Sequence, residues 1–237
     1  MTARFETIER LMQDVEQNWV RRDCIFRGQS KQWALIPKIG RPEPRSILDQ
    51  EAAIIEQFKH LYRKMYERGA DHSDFCVHPD SFYEWDWLAL AQHYGLPTCL
   101  LDWSADAEVA LYFAVANREY DCCDGAIYIF QDPTAIARNA PLNGIQNVRR
   151  YRAYRHSHFT DLRVKRQKGE LTLQPDRTTD LSEQLGGDKR QKLEKIIIPK
   201  ERKAEIRSSL RDKEITHSFL FPGLDGLCRQ IRSELGI

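Results

Sequence analysis

The sequence predicts an α+β fold: one domain over residues 1–237, built from mixed small sheets and several packed helices. Three observations predict it. Helix-period and strand-like apolar segments follow one another in irregular order, where a doubly wound chain would alternate them strictly. Breakers at Gly28, Pro37, Pro42, Pro44, Gly95, Pro97 and Gly125 separate these segments. No internal repeat or shift in composition marks a second domain.

Taken in order, Phe5, Ile8, Leu11, Met12, Val15 and Trp19 give a lead-in helix within residues 1–20. Cys24 to Arg27 reads as a short strand ended by Gly28, and Trp33 to Pro37 as an extended stretch. Ser46 and Asp49 have capping-box character, and a long helix follows through Met65 with Gly69 as its stop. Residues 70–80 read as a loop. Ser81 opens a helix that ends at Gly95. Leu100-Leu101 is a short buried segment, and Ser104 or Asp106 caps a helix over Ala107–Asn117 with Val109, Ala110, Phe113 and Ala114 inward. Ala126–Phe130 is a strand. Residues 133–160 read as irregular, Glu170–Gln174 as a strand and 175–190 as a mobile polar loop. A strand over Lys192–Ile198, a helix over Lys200–Leu210, a strand over Thr216–Leu220 and a helix over Leu224–Leu235 complete the chain.

Hydrophobic residues make up 41% and charged residues 30%, enough for a full core, and the net charge of +1 exerts no global pull on nucleic acid or anionic membrane. No apolar run is long enough to span a bilayer, and the N-terminal residues do not resemble a signal peptide, so the expected location is cytoplasmic with no membrane partner. The cysteines at 24, 76, 99, 122, 123 and 228 lack C-x-x-C spacing and read as reduced thiols. Phosphate-loop, dinucleotide-fingerprint, zinc-protease and nucleophile-elbow motifs are missing, which disfavours those enzyme classes.

A longer pattern runs from Phe26-Arg27-Gly28-Gln29 and Trp33-x-Leu35-x-Pro37 to the block Trp87 to Ser104, which contains His93-Tyr94-Gly95-Leu-Pro97-Thr98 and Leu101-Asp102-Trp103-Ser104. Ala110-Leu-Tyr-Phe-Ala114, Gln167-x-Gly169 and Phe221-Pro222-Gly-Leu-Asp-Gly226 follow. On these residues the chain resembles the FRG domain family, from about Arg22 to Ile231. It is also similar, more weakly, to ADP-ribosyltransferases of the Arg-Ser-Glu type, through Arg27-Gly28 and through Ser104 preceding Val109-Ala110-x-x-Phe113-Ala114. That second resemblance implies an NAD-using toxin or defence effector. The late Glu-x-Glu or Gln-x-Glu of such enzymes is missing here, and Gln167 with Glu170 would lie on opposite faces of an extended strand.

The candidate chemical residues are Arg27, His93, Asp102, Gln167 and Glu170. Arg27 offers a donor fork for phosphate or ribose, or a structural ion pair with Asp102 or Glu51. His93 suits a general base, a metal ligand, a ribose contact or a core histidine. Asp102, after two leucines, would enter a partly buried site with Arg27 as its partner. Gly28, Gln29, Tyr94, Thr98, Trp103 and Ser104 are candidates for binding NAD or a related nucleotide. Gly28 would let the backbone approach the ligand, Trp103 would stack on nicotinamide, and Ser104 is equally a plain cap. The Arg149–Lys168 segment, basic with interleaved aromatics, could contact nucleic acid or a dinucleotide, or be a solvated loop. His156-x-His158 has no third ligand in register, so no metal site is assigned. The leading expectation is an ADP-ribosyltransferase-like protein. A non-enzymatic nucleotide or nucleic-acid binding module comes second, and a metal-dependent hydrolase using His93 and Asp102 third.

Overall fold

A computed structural model describes residues 3–4, 24–42, 47–68, 78–131, 142, 146–156, 161–185 and 190–235. Its strands are β1 (Ala3–Arg4), β2 (Cys24–Gln29), β3 (Leu100–Ser104), β4 (Gly125–Gln131), β5 (Arg149–Tyr151), β6 (Gly169–Leu173) and β7 (Lys192–Ile198). The helices are α1 (Glu51–Glu67), α2 (Glu84–His93), α3 (Ala107–Val115), α4 (Ala153–His156), α5 (Leu162–Arg166), α6 (Lys203–Asp212), α7 (His217–Leu220) and α8 (Leu224–Leu235). The fold is α+β, but the strands form one seven-stranded sheet in the order β1-β7-β4-β2-β3-β6-β5 rather than several small ones. All neighbours pair antiparallel except β1 with β7. Short strands far apart in sequence merge into one sheet through pairings that local periodicity does not encode.

The sheet has a seam. β2 pairs with β4 at six positions from Cys24 to Gln29, and β3 pairs with β6 at five from Leu100 to Ser104. Between β2 and β3 only Phe26 and Ser104 are partners. Continued register would bring Gly28 opposite Asp102, yet the ladder is open there. Two helical layers cover the same face on either side of this seam. Helices α3 and α6 pack on Phe26, Ile127, Ile129, Ile196 and Ile198. Helices α1 and α2 pack on Leu100, Leu171, Leu173 and Tyr151. On the opposite face Ile25, Leu101, Trp103, Tyr128 and Phe130 lie under Leu35 and Leu181.

Local chemistry sets the ends of the helices that matter most. Helix α2 begins at Glu84 rather than Ser81, because Pro79–Ser81 make a separate 3-10 turn and the Asp86 carboxylate accepts from the Tyr83 amide. It ends in a Schellman motif: Gly95 has φ +92°, its amide donates to Gln92, and the Leu96 amide donates to Ala91. Asp106 caps α3 by accepting from the amides of Glu108 and Val109, which settles the choice between Ser104 and Asp106. Phe113 is only half-buried, while Leu111 and Val115 join Val109, Ala110 and Ala114 in the core.

Other expectations need correction. Ala3–Arg4 is extended and pairs with Ile196 and Ile197, so the lead-in helix does not hold there; residues 5–23, Ser46, Gly69 and His158 lie outside the described residues. Thr216–Leu220 is no strand: Thr216 Oγ1 accepts from the Phe219 amide and caps the single turn α7. The supposed irregular stretch contains β5 and α4. The part of the 175–190 loop that is described is anchored, with Leu181 buried and the Asp180 carboxylate accepting from the Leu35 and Ser182 amides. Hydrogen bonds from Thr179 and Thr178 lower the Asp176 carboxyl in the same loop to about 2.

Candidate functional site

The seam opens into a cavity of about 280 Å³ between α2 and α3. Phe26, Arg27, Gly28, Asp102, Ser104 and Leu171 line it from the sheet. Ala89, Gln92 and His93 line it from α2, and Ala110 and Phe113 from α3. Arg163 and Val164 of α5, with Gln167 just after it, close the remaining side. Arg27, His93, Asp102 and Gln167, singled out from the sequence, therefore share one cavity.

Alternation along β2 puts the Arg27 side chain on the face opposite Phe26 and Gly28. Through the open seam its Nη1 donates to the main-chain carbonyl of Asp102 at 2.5 Å. The expected carboxylate pair with Asp102 is thus replaced by a main-chain contact, because the open ladder leaves that carbonyl without a β2 amide. Glu51 is not its partner either; it pairs with Arg177 at 3.2 Å. Arg27 Nε is buried without a hydrogen-bond partner. Burial lowers the Arg27 pKa from its ordinary value, and the nearby Asp102 charge opposes that shift.

The Asp102 carboxylate is exposed to the cavity rather than buried, and it is oriented by a short relay. Thr98, wholly buried, donates its hydroxyl to Gln92 Oε1, and Gln92 Nε2 donates to Asp102 Oδ1 at 2.5 Å. The hydroxyl fixes which end of the Gln92 amide faces Asp102. Thr98 therefore acts behind the cavity wall. Gln92 was passed over in the sequence, although it sits in the same block as His93 and Thr98.

His93 Nε2 lies 2.8 Å from Asp161 Oδ2, which gives the imidazole a carboxylate partner. Burial raises the Asp161 carboxyl pKa, but the hydrogen bond and charge of His93, the Arg163 amide and the Arg163 charge outweigh it and hold the pKa down. Arg163 donates Nη1 to the His93 carbonyl at 3.3 Å and lies 4.7 Å over the Phe221 ring. Burial lowers its pKa, while Asp102 and Asp161 oppose the shift. Asp102 thus senses two guanidinium groups, Arg27 and Arg163. Arg163 belongs to the basic Arg149–Lys168 segment read from the sequence, whereas Asp161 is not among the sequence candidates; its cue is the Asp cap at the start of α5.

Gln167 is the C-cap of α5, not a strand residue, so the opposite-face argument about Gln167 and Glu170 does not apply. Its amide donates to the Leu220 carbonyl at 3.0 Å, and its own carbonyl accepts from Ser104 Oγ at 2.7 Å. Ser104 also accepts from the Asp106 amide, making it a brace between β3 and α5. Glu170 is 1% exposed and gives both oxygens to Arg150, at 2.7 and 3.1 Å. Trp103 is 4% exposed, donates Nε1 to Thr172 at 2.8 Å and packs on Phe130, so its indole belongs to the core and not to a stacking platform. Tyr94 is exposed and packs edge-on against His93; Tyr94, Gln29 and Thr98 do not line the cavity.

Gly28 has a different reason from the one expected. A Cβ there would meet the Ala110 carbonyl oxygen at 1.7 Å, so the glycine admits helix α3 to the sheet. The basic segment is largely engaged within the fold. Arg150 pairs with Glu170, Arg166 donates to the Phe219 carbonyl, and Lys168 pairs with Asp106.

No helix among the described residues is long and apolar enough to cross a membrane. No curated protein and no solved structure matches the chain at a significant level. The family comparison does find a match, covering β2, α1, α2, β3 and α3: the FRG domain model matches residues 22–122.

Proposed function

We propose that the seam cavity binds a nucleotide of the NAD class and that the chain acts as an ADP-ribosyltransferase-like protein. The observation that carries this reading is the meeting of Arg27, Arg163 and the Asp102 carboxylate in one cavity with an apolar wall of Phe26, Ala110 and Phe113. Guanidinium forks suit phosphate oxygens, and the buried, unpartnered Arg27 Nε is a donor suited to such an acceptor. A carboxylate beside a ribose favours the oxocarbenium character that develops when a glycosidic bond breaks. Asp102, held by Gln92, supplies that charge. Glu170 is a poorer candidate because Arg150 already holds both its oxygens. His93, which lines the cavity and pairs with Asp161, suits proton removal from an acceptor. At about 280 Å³ the cavity is near the lower end of ligand pockets, so it matches the nicotinamide ribose half better than a whole dinucleotide.

Calorimetric titration with NAD and detection of released nicotinamide test the reading. Arg27→Ala is expected to abolish binding. Asp102→Asn is expected to keep binding and lose release. A folded wild-type chain that neither binds NAD nor releases nicotinamide overturns it.

The locked Glu170 favours one alternative, a binding module without turnover. It predicts that wild type and Asp102→Asn bind nucleotide alike and that neither releases nicotinamide.

A further inference from the structure

A second constellation lies away from the seam, in the turn between the 3-10 segment Arg118–Tyr120 and β4. Cys122 and Cys123 place their Sγ atoms 3.6 Å apart, with Cys122 exposed and Cys123 half-exposed. The Cys123 amide donates to the Tyr120 carbonyl at 3.1 Å, which fixes the turn. The hydrogen bond with Cys122 raises the Cys123 thiol pKa, and the charges of Lys31 and Lys203 oppose that shift.

Distances decide what this thiol pair is suited to. Neighbouring Cα atoms are about 3.8 Å apart across a trans peptide, short of the roughly 4.4–6.8 Å that a relaxed disulfide spans. A disulfide here would be strained. By contrast, two bonds of about 2.3 Å from one thiophilic centre to sulfurs 3.6 Å apart enclose about 103°, near the tetrahedral angle. Among the described residues no group of three or more His, Cys, Asp or Glu is placed to hold a metal ion, so the pair offers two sulfurs and no further protein ligand.

We propose that Cys122 and Cys123 form a chelating site for a thiophilic trivalent metalloid, a centre that completes its coordination with its own organic substituent. With phenylarsine oxide, two As–S bonds form and the As–O bond breaks. The oxygen leaves as water with both thiol protons, and arsenic keeps its phenyl group and its oxidation state. The turn also carries the carbonyl and carboxylate that hold Lys203 and Arg207 of α6, so occupancy bears directly on that helix.

The test is native mass spectrometry of the full chain with phenylarsine oxide, followed by peptide mapping of the adduct. Expected is one adduct per chain bridging Cys122 and Cys123, removed by a dithiol competitor but not by an equal excess of monothiol. Cys122→Ser or Cys123→Ser weakens it about a hundredfold, the advantage of a second tethered ligand. Cys228→Ser leaves it unchanged. Adduct mapped elsewhere on the wild-type chain, or single variants that bind as tightly as wild type, overturns the proposal. Mapping on wild type decides the matter even if a variant fails to fold.

Discussion

The Arg27 guanidinium reaches through the β2–β3 seam and donates to the main-chain carbonyl of Asp102 at 2.5 Å. It stands in for the β-ladder contact that the Gly28 and Asp102 positions do not make. The cavity and the guanidinium that crosses to Asp102 thus arise from the same missing strand pairing.

Gly28→Ala is expected to cost about 3 kcal/mol, at the upper end of overpacking effects. The added methyl collides with backbone, not with the end of a flexible side chain, so α3 must move off the sheet. Urea denaturation measures the loss. An unchanged midpoint would refute the account of this glycine.

Removing Glu170 should act through stability and not through chemistry. Glu170→Ala takes the carboxylate away from the buried Arg150 guanidinium, at a cost of about 3–5 kcal/mol. The double variant Arg150→Met/Glu170→Leu should recover most of that. If Glu170→Ala remains as stable as wild type but loses turnover, Glu170 belongs to the chemistry instead.

Thr98→Val keeps the shape of a buried side chain and removes one hydroxyl. The Gln92 amide is then free to turn its oxygen toward Asp102, which should weaken nucleotide binding or turnover about tenfold, a change of roughly 1.4 kcal/mol. Thr98→Ser should restore it. Parallel titrations of the two variants, with melting curves as control, separate this from general destabilisation.

His217 predicts a pH response at the C-terminal turn. Burial, then the charges of Arg229 and Arg163, hold its pKa below the ordinary 6.5, while its Nδ1 lies 2.7 Å from the Tyr112 hydroxyl. The unfolded chain therefore binds the proton more readily than the folded one. This contribution to stability is full above about pH 6.5 and is lost as pH falls through the lower folded value. The protection factors of the Phe219–Phe221 amides, corrected for the intrinsic exchange rate, should fall as pH drops from about 7.5 to about 5.5, and His217→Gln should flatten that dependence.

Helices α1, α3 and α8 were legible because their apolar spacing persists over several turns, and β4 and β7 because apolar runs end at clear turn residues. Thr216–Leu220 was not, since five residues cannot distinguish one period from the other and the threonine cap decides the outcome. In the site, Arg27, His93 and Asp102 stood out because charge interrupts apolar segments there. Arg163 and Arg150 looked alike within one basic run. One lines the cavity and the other is locked to Glu170, a difference made by contacts across the sheet that no local pattern carries. The seam itself depends on which strands pair, and each strand's alternation is the same whether or not its neighbour splays.

Lys203 has no exposed surface, and its ammonium donates to the carbonyls of Ser30 and Tyr120, both at 2.6 Å. An amine-directed label cannot reach it while α6 stays docked. Among the lysines of the chain it is a built-in clock for opening: the rate at which it acquires label, compared with surface Lys213 in the same digest, reports how often this corner of the molecule comes apart.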